Sequence, residues 1–153
     1  MSHYSPSLKT IAISSALGII LYFVNAAFVT WLFSAYPETR PLVFGSGTWW
    51  LSAPTAVKIA YVGLISPIIE ELIFRKGIMG YFTKNNQQSA ALAISTILFA
   101  LYHILFGWGY LKAVLMLVPG LVFGILYMRY GLKGCLSCHL SNNILAAIAL
   151  ANS

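Results

Sequence analysis

Apolar positions fall in long, nearly unbroken runs, separated by short clusters of turn-forming and basic residues, with no alternation of the kind that marks half-buried strands. Runs at about residues 8–33, 53–82, 89–106, 111–130 and 135–151 are each long enough to cross a bilayer, for which about 20 residues suffice. The pattern predicts an all-α fold, a polytopic transmembrane helical bundle of about five spans. Because the first run exceeds the roughly 7–15 residues of a signal-peptide core and has only Lys9 in front of it, it reads as a retained span. A Pro/Gly/Trp-rich loop, Tyr36 to Trp50, follows, and its Trp49-Trp50 pair suits an interfacial anchor. Residues 1–52 are thus expected to form an N-terminal helix and an extracytoplasmic loop. Residues 53–153 are expected to form one helical core.

The informative positions are the polar ones inside these runs. Glu70 and Glu71 are two of the chain's three acidic residues and lie within the second span. One ionised side chain at a bilayer centre costs about 2.5–3.5 kcal/mol on insertion scales, so a pair of them points to use. Residues four apart share a helix face, so Glu71 and Arg75 are placed to form an ion pair while Glu70 points elsewhere. The plainer reading, a capped interfacial helix end near Arg75 and Lys76, is opposed by Leu72, Ile73 and Phe74, which continue the apolar run. Pro67 cannot donate to the carbonyl of Gly63, so a bend and a freed acceptor are expected one turn before Glu70. Pro119-Gly120 should act likewise in span four, where Gly120 and Gly124 form a small-xxx-small pair admitting a neighbouring helix.

His103 ends a Phe99-Ala-Leu-Tyr-His segment in span three. With the loop around Asn86 as a hairpin tip, antiparallel helices bring Glu70 and His103 to similar depth. Span five carries Cys135-Leu-Ser-Cys-His139-Leu-Ser-Asn-Asn143, in which His139 and Asn143 are one turn apart on a shared face. A hydrogen-bonded core histidine and an interhelical Asn/Ser/His cluster are the structural alternatives. His139 lies soon after the Arg129–Gly134 turn, nearer the expected cytoplasmic face than a strict hairpin count puts Glu70. Either the hairpin between spans two and three protrudes or a span is tilted or broken.

Composition agrees: 59% hydrophobic and 8% charged residues among 153 describe a membrane protein, not a soluble one. The net charge of +6 reads as topology signal, not as a nucleic-acid surface, because the basic residues are scattered at helix ends. Lys9, Arg75, Lys76, Lys84, Arg129 and Lys133 fall on one side against Arg40 and Lys112 on the other. The N-terminus is therefore expected in the cytoplasm of a multi-pass protein, with the bacterial inner membrane as its site.

Glu-Glu-x-x-x-Arg, Phe-x-x-x-His and His-x-x-x-Asn on successive apolar helices resemble the signature of the CAAX-protease and bacteriocin-processing (CPBP or Abi) family of intramembrane endopeptidases, over about residues 60–150. The resemblance implies that Glu70 activates the attacking water, that His103 and His139 orient it or stabilise the transition state, and that Asn143 stabilises the oxyanion. Glu71 and Arg75 would support the site. It further implies a membrane-anchored peptide or protein substrate, lipidated or single-span, and a bilayer setting. Myxosortase-like compact members are one subfamily the length fits. Glu70, His103 and His139 also match a His₂Glu zinc set, so zinc chemistry stands beside metal-free, glutamate-based chemistry, which the resemblance favours. Two readings from other classes remain: a non-proteolytic binding or immunity protein of the same fold, and a c-type haem carrier through Cys135-x-x-Cys138-His139.

Overall fold

The computed structural model describes residues 7–45 and 52–152, and the Trp49-Trp50 anchor lies outside them. Helix α1 (Leu8–Ala35) opens with Ser7 at its N-cap, whose hydroxyl accepts from the Thr10 amide. Its outward side chains, such as Phe23, Val24 and Trp31, are exposed, as expected of a face turned to lipid. A short α2 (Arg40–Phe44) follows.

The second span is one helical rod over residues 55–84, built from α3 (Thr55–Lys58), a wide π-type segment Ile59–Ile65, α4 (Ser66–Glu70), a second π-type segment Glu71–Met79, and α5 (Gly80–Lys84). Widened turns of this kind often mark functional sites, and here they bracket Pro67 and the two glutamates. After a turn at Asn86 come α6 (Gln88–Leu105), α7 (Tyr110–Leu115) and α8 (Leu117–Ala151).

Helix α8 is two rods. Gly131 has φ 69° and ψ −168°, a conformation open almost only to glycine. Phe123 and His139 would lie about 24 Å apart along a straight helix, yet their rings stack at 4.2 Å. The chain therefore folds back at Gly131, and spans four and five are antiparallel neighbours. Among the described residues three helical stretches, Leu8–Ala35, Gln88–Leu105 and Tyr110–Ala151, are long and apolar enough to cross a membrane. With the rod at 55–84 and the fold-back at Gly131, five helical passes result, and the all-α membrane bundle read from the sequence is the observed fold.

Close backbone approaches join the rods. A Cβ on Gly18 of α1 would strike the Cys138 carbonyl of α8, and Gly120 lies 3.0 Å from Phe99 by the same measure, so α6 enters the notch that Gly120 and Gly124 leave. The Ser95 hydroxyl donates to the Phe74 carbonyl at 2.9 Å and ties α6 to the second span.

Two details of the sequence reading change. Pro119 lies in the first turn of α8, where a missing N–H costs nothing; the break precedes it, at Met116. The acceptor freed near Pro67 is the Val62 carbonyl, not that of Gly63. In the wide register Ser66 N–H donates to Tyr61 O, five residues back, and the residue five beyond Val62 is Pro67, which has no N–H.

Candidate active site

The segment Ser66–Glu70 presents Glu70 inward, where the side chain is almost wholly buried, and Glu71 lies deeper, completely enclosed. On the facing rod of α8, His139 comes between them. Its Nδ1 is 2.8 Å from Glu71 Oε1 and its Nε2 is 3.6 Å from Glu70 Oε2. The i,i+4 pair forms as expected, with Arg75 Nε 3.4 Å from Glu71 Oε2. Arg75 also donates through Nη2 to the Gly120 carbonyl at 2.8 Å and lies over the Phe99 ring at 4.5 Å. A charged group enclosed in a bundle needs both a counter-charge and hydrogen bonds, and Arg75 has Glu71 for the first and Gly120 for the second.

Packing fixes the imidazole. Phe123 stacks on His139 and Phe99 meets its edge at 5.8 Å between centroids. Because Glu71 is turned toward Arg75 and can only accept, Nδ1 of His139 donates to it, and Nε2 is left to face Glu70. A separation of 3.6 Å is too long for a direct hydrogen bond. Glu70 Oε2 is accordingly a buried oxygen without a hydrogen-bond partner among the described residues, while Ser66 donates its hydroxyl to Oε1.

A cavity of about 500 Å³ opens at this point, and Glu70, His103, His139 and Asn143 all border it. The four residues expected to share one pocket do so. Glu71 and Arg75 stand behind its wall. The depth problem resolves through length: Glu70 is 14 residues before Lys84, whereas His139 is 8 residues after Gly131, so the 84–88 hairpin projects about 9 Å further than the Gly131 turn.

His103 and Asn143 hold positions that sequence did not specify. His103 is half-buried with Nδ1 2.9 Å from the Phe99 carbonyl of its own helix, and no hydrogen bond or ion pair joins it to Glu70 or His139 among the described residues. Asn143 donates one N–H to the Val62 carbonyl at 3.1 Å and accepts at Oδ1 from Asn142. The orphan acceptor created at Pro67 is thereby satisfied.

Several lining residues went unread in the sequence. Ser66 is one turn before Glu70, so the helical spacing that paired Glu71 with Arg75 would have found it if applied backwards. Lys112, whose ammonium lies 4.5 Å from the Trp108 ring centroid, and Arg40 also border the cavity; both had been counted only as topology charges. The α1 wall, including Tyr22 and Asn25, carried no signal.

Among the described residues no three His, Cys, Asp or Glu side chains form a group able to hold a metal ion. His139 gives Nδ1 to Glu71 and turns Nε2 toward Glu70, an arrangement that serves a metal-bound and a metal-free imidazole alike. The haem reading loses support. Cys135 and Cys138 are free thiols with no exposed surface, and His139 is enclosed between two carboxylates, so a haem held by two thioethers finds no open face.

The fold is thus a helical membrane bundle that encloses two carboxylates and an imidazole beside a cavity. A family model described as type II CAAX prenyl endopeptidase Rce1-like matches residues 49–145, and the chain belongs to that family. It is an intramembrane endopeptidase of the CAAX type in general, consistent with the CPBP resemblance, and every residue from Glu70 to Asn143 lies inside the matched stretch. Comparison with curated proteins and with solved structures gives no match.

Proposed function

We propose that this protein hydrolyses a peptide bond near or within the membrane of a lipidated or single-span substrate, with Glu70 activating the attacking water. One observation carries the reading: Glu70 borders the cavity, and its Oε2 is buried, without a hydrogen-bond partner among the described residues and 3.6 Å from His139 Nε2. A water between these two atoms can donate to the carboxylate while the imidazole fixes its orientation, which is the geometry general-base catalysis requires.

Charge pairing supports the assignment: Arg75 faces Glu71, and His139 stands between Glu71 and Glu70, so each enclosed carboxylate has a basic neighbour. When water attacks the scissile carbonyl, its proton passes to Glu70, which then delivers it to the departing amine. Glu71 keeps the His139 ring in one tautomer. Because the Asn143 amide has two N–H bonds and Val62 takes one, the second remains for a developing oxyanion. His103 donates Nδ1–H to Phe99, leaving Nε2 as an acceptor that holds water in the cavity.

The cavity borders Arg40 and Lys112, which charge counting assigns to the extracytoplasmic side. Substrate therefore enters from that face, with the N-terminus of the chain in the cytoplasm of the bacterial inner membrane. The chemistry proposed is metal-free.

Purified protein in liposomes, given a farnesylated CAAX-type peptide with fluorophore and quencher on either side of the scissile bond, tests the proposal. Glu70→Gln should lower cleavage by about 10²- to 10⁴-fold while eluting as folded protein in detergent. Cleavage equal to the parent's would overturn it.

A further inference from the structure

A serine inside a helix ordinarily turns its hydroxyl back to the carbonyl four residues earlier. For Ser66 that carbonyl is Val62, and it already receives the Asn143 amide at 3.1 Å. The Ser66 hydroxyl points the other way, donating to Glu70 Oε1 one turn ahead. Wide-turn register, Pro67, Asn143 and Ser66 thus meet at one turn. The register and the proline free the Val62 acceptor, Asn143 binds it, and the Ser66 hydroxyl is spent on the carboxylate instead.

We infer that Ser66 is a positioning residue for the reaction, holding Glu70 by Oε1 so that Oε2 is the oxygen turned to His139. This rests on the reading of Glu70 as the base, and it extends it. A free carboxylate rotates about its terminal torsion, which is broad and two-fold; pinning one oxygen removes that freedom and presents the other at a fixed point.

Ser66→Ala, Ser66→Thr and Ser66→Cys, compared with the parent in liposomes using the farnesylated peptide, provide the test. Outer partners of this kind affect activity by about 10- to 100-fold, so Ser66→Ala should lose that much kcat with KM little changed. Ser66→Thr should restore kcat and Ser66→Cys should fall between. An Ala variant with the parent's kcat, or a loss that Thr does not rescue, would overturn the inference. If Ala prevents folding, Cys against Thr decides by the same split of kcat from KM. Full activity in Glu70→Gln would sink the base assignment, whereas parental kcat in Ser66→Ala beside an inactive Glu70→Gln would sink only the positioning role, so the two failures are distinguishable.

Discussion

Arg75→Met would remove the guanidinium paired with a wholly enclosed carboxylate. The guanidinium faces Glu71 at 3.4 Å, donates to Gly120 O at 2.8 Å and covers Phe99 at 4.5 Å, while Met fills similar space without any of these. Breaking a buried ion pair by deleting one member costs about 3–5 kcal/mol. The hydrogen bond and the ring contact are part of that figure, not additions to it. A loss of about 4 kcal/mol lowers the folded-to-unfolded ratio about 10³-fold and the melting temperature by about 10 °C, measurable by intrinsic fluorescence in detergent micelles. The double variant Arg75→Met with Glu71→Gln carries the decisive information. Gln still offers His139 an acceptor oxygen but strands no charge, so the pair should recover about 2 kcal/mol relative to the sum of the single losses. The reasoning fails if Arg75→Met costs under about 1 kcal/mol, or if the two single losses simply add.

Gly131→Ala should destabilise the protein by about 1–3 kcal/mol. A Cβ there would meet nothing within 4 Å, so the cost is backbone strain alone, and Asn at 131 should be no better than Ala; a neutral Ala variant would refute the argument. Chelator treatment of the purified protein should leave cleavage of the farnesylated peptide unchanged, since among the described residues no three ligating side chains form a metal-holding group; inhibition reversed by added zinc would refute the metal-free proposal.

The spans were legible because the apolar runs are long and their breaks sharp, and the ends of the five passes lie within a few residues of their expected places; α2 inside the expected loop and the break at Met116 inside span four went unread. The pairing of Glu71 with Arg75 followed from helical spacing alone. What the sequence hid depends on backbone register. The wide turns on either side of Ser66–Glu70 shift acceptors by one residue, so the freed carbonyl moved from Gly63 to Val62 and gave Asn143 a partner no periodic pattern shows. The contact of His139 with both carboxylates was hidden for a related reason. It depends on the fold-back at a single glycine and on how far the 84–88 hairpin protrudes, both properties of three-dimensional assembly. Lys112 and Arg40 were read for sign and side only, since their place on the cavity wall arises from α2 and the loop before α7 being locked together, with Gly109 N–H donating to Val43 O at 3.1 Å.

Six positions of α1, from Tyr22 to Phe33, border the chamber that holds Glu70, yet α1 lies entirely before residue 49, where the family match begins. The residues proposed for hydrolysis and one whole side of the cavity they share are therefore written in separate stretches of the chain. Under that proposal, exchanges at Tyr22, Asn25, Ala26, Val29, Thr30 and Phe33 would reshape the chamber for new clients while the glutamate, histidines and asparagine stay untouched.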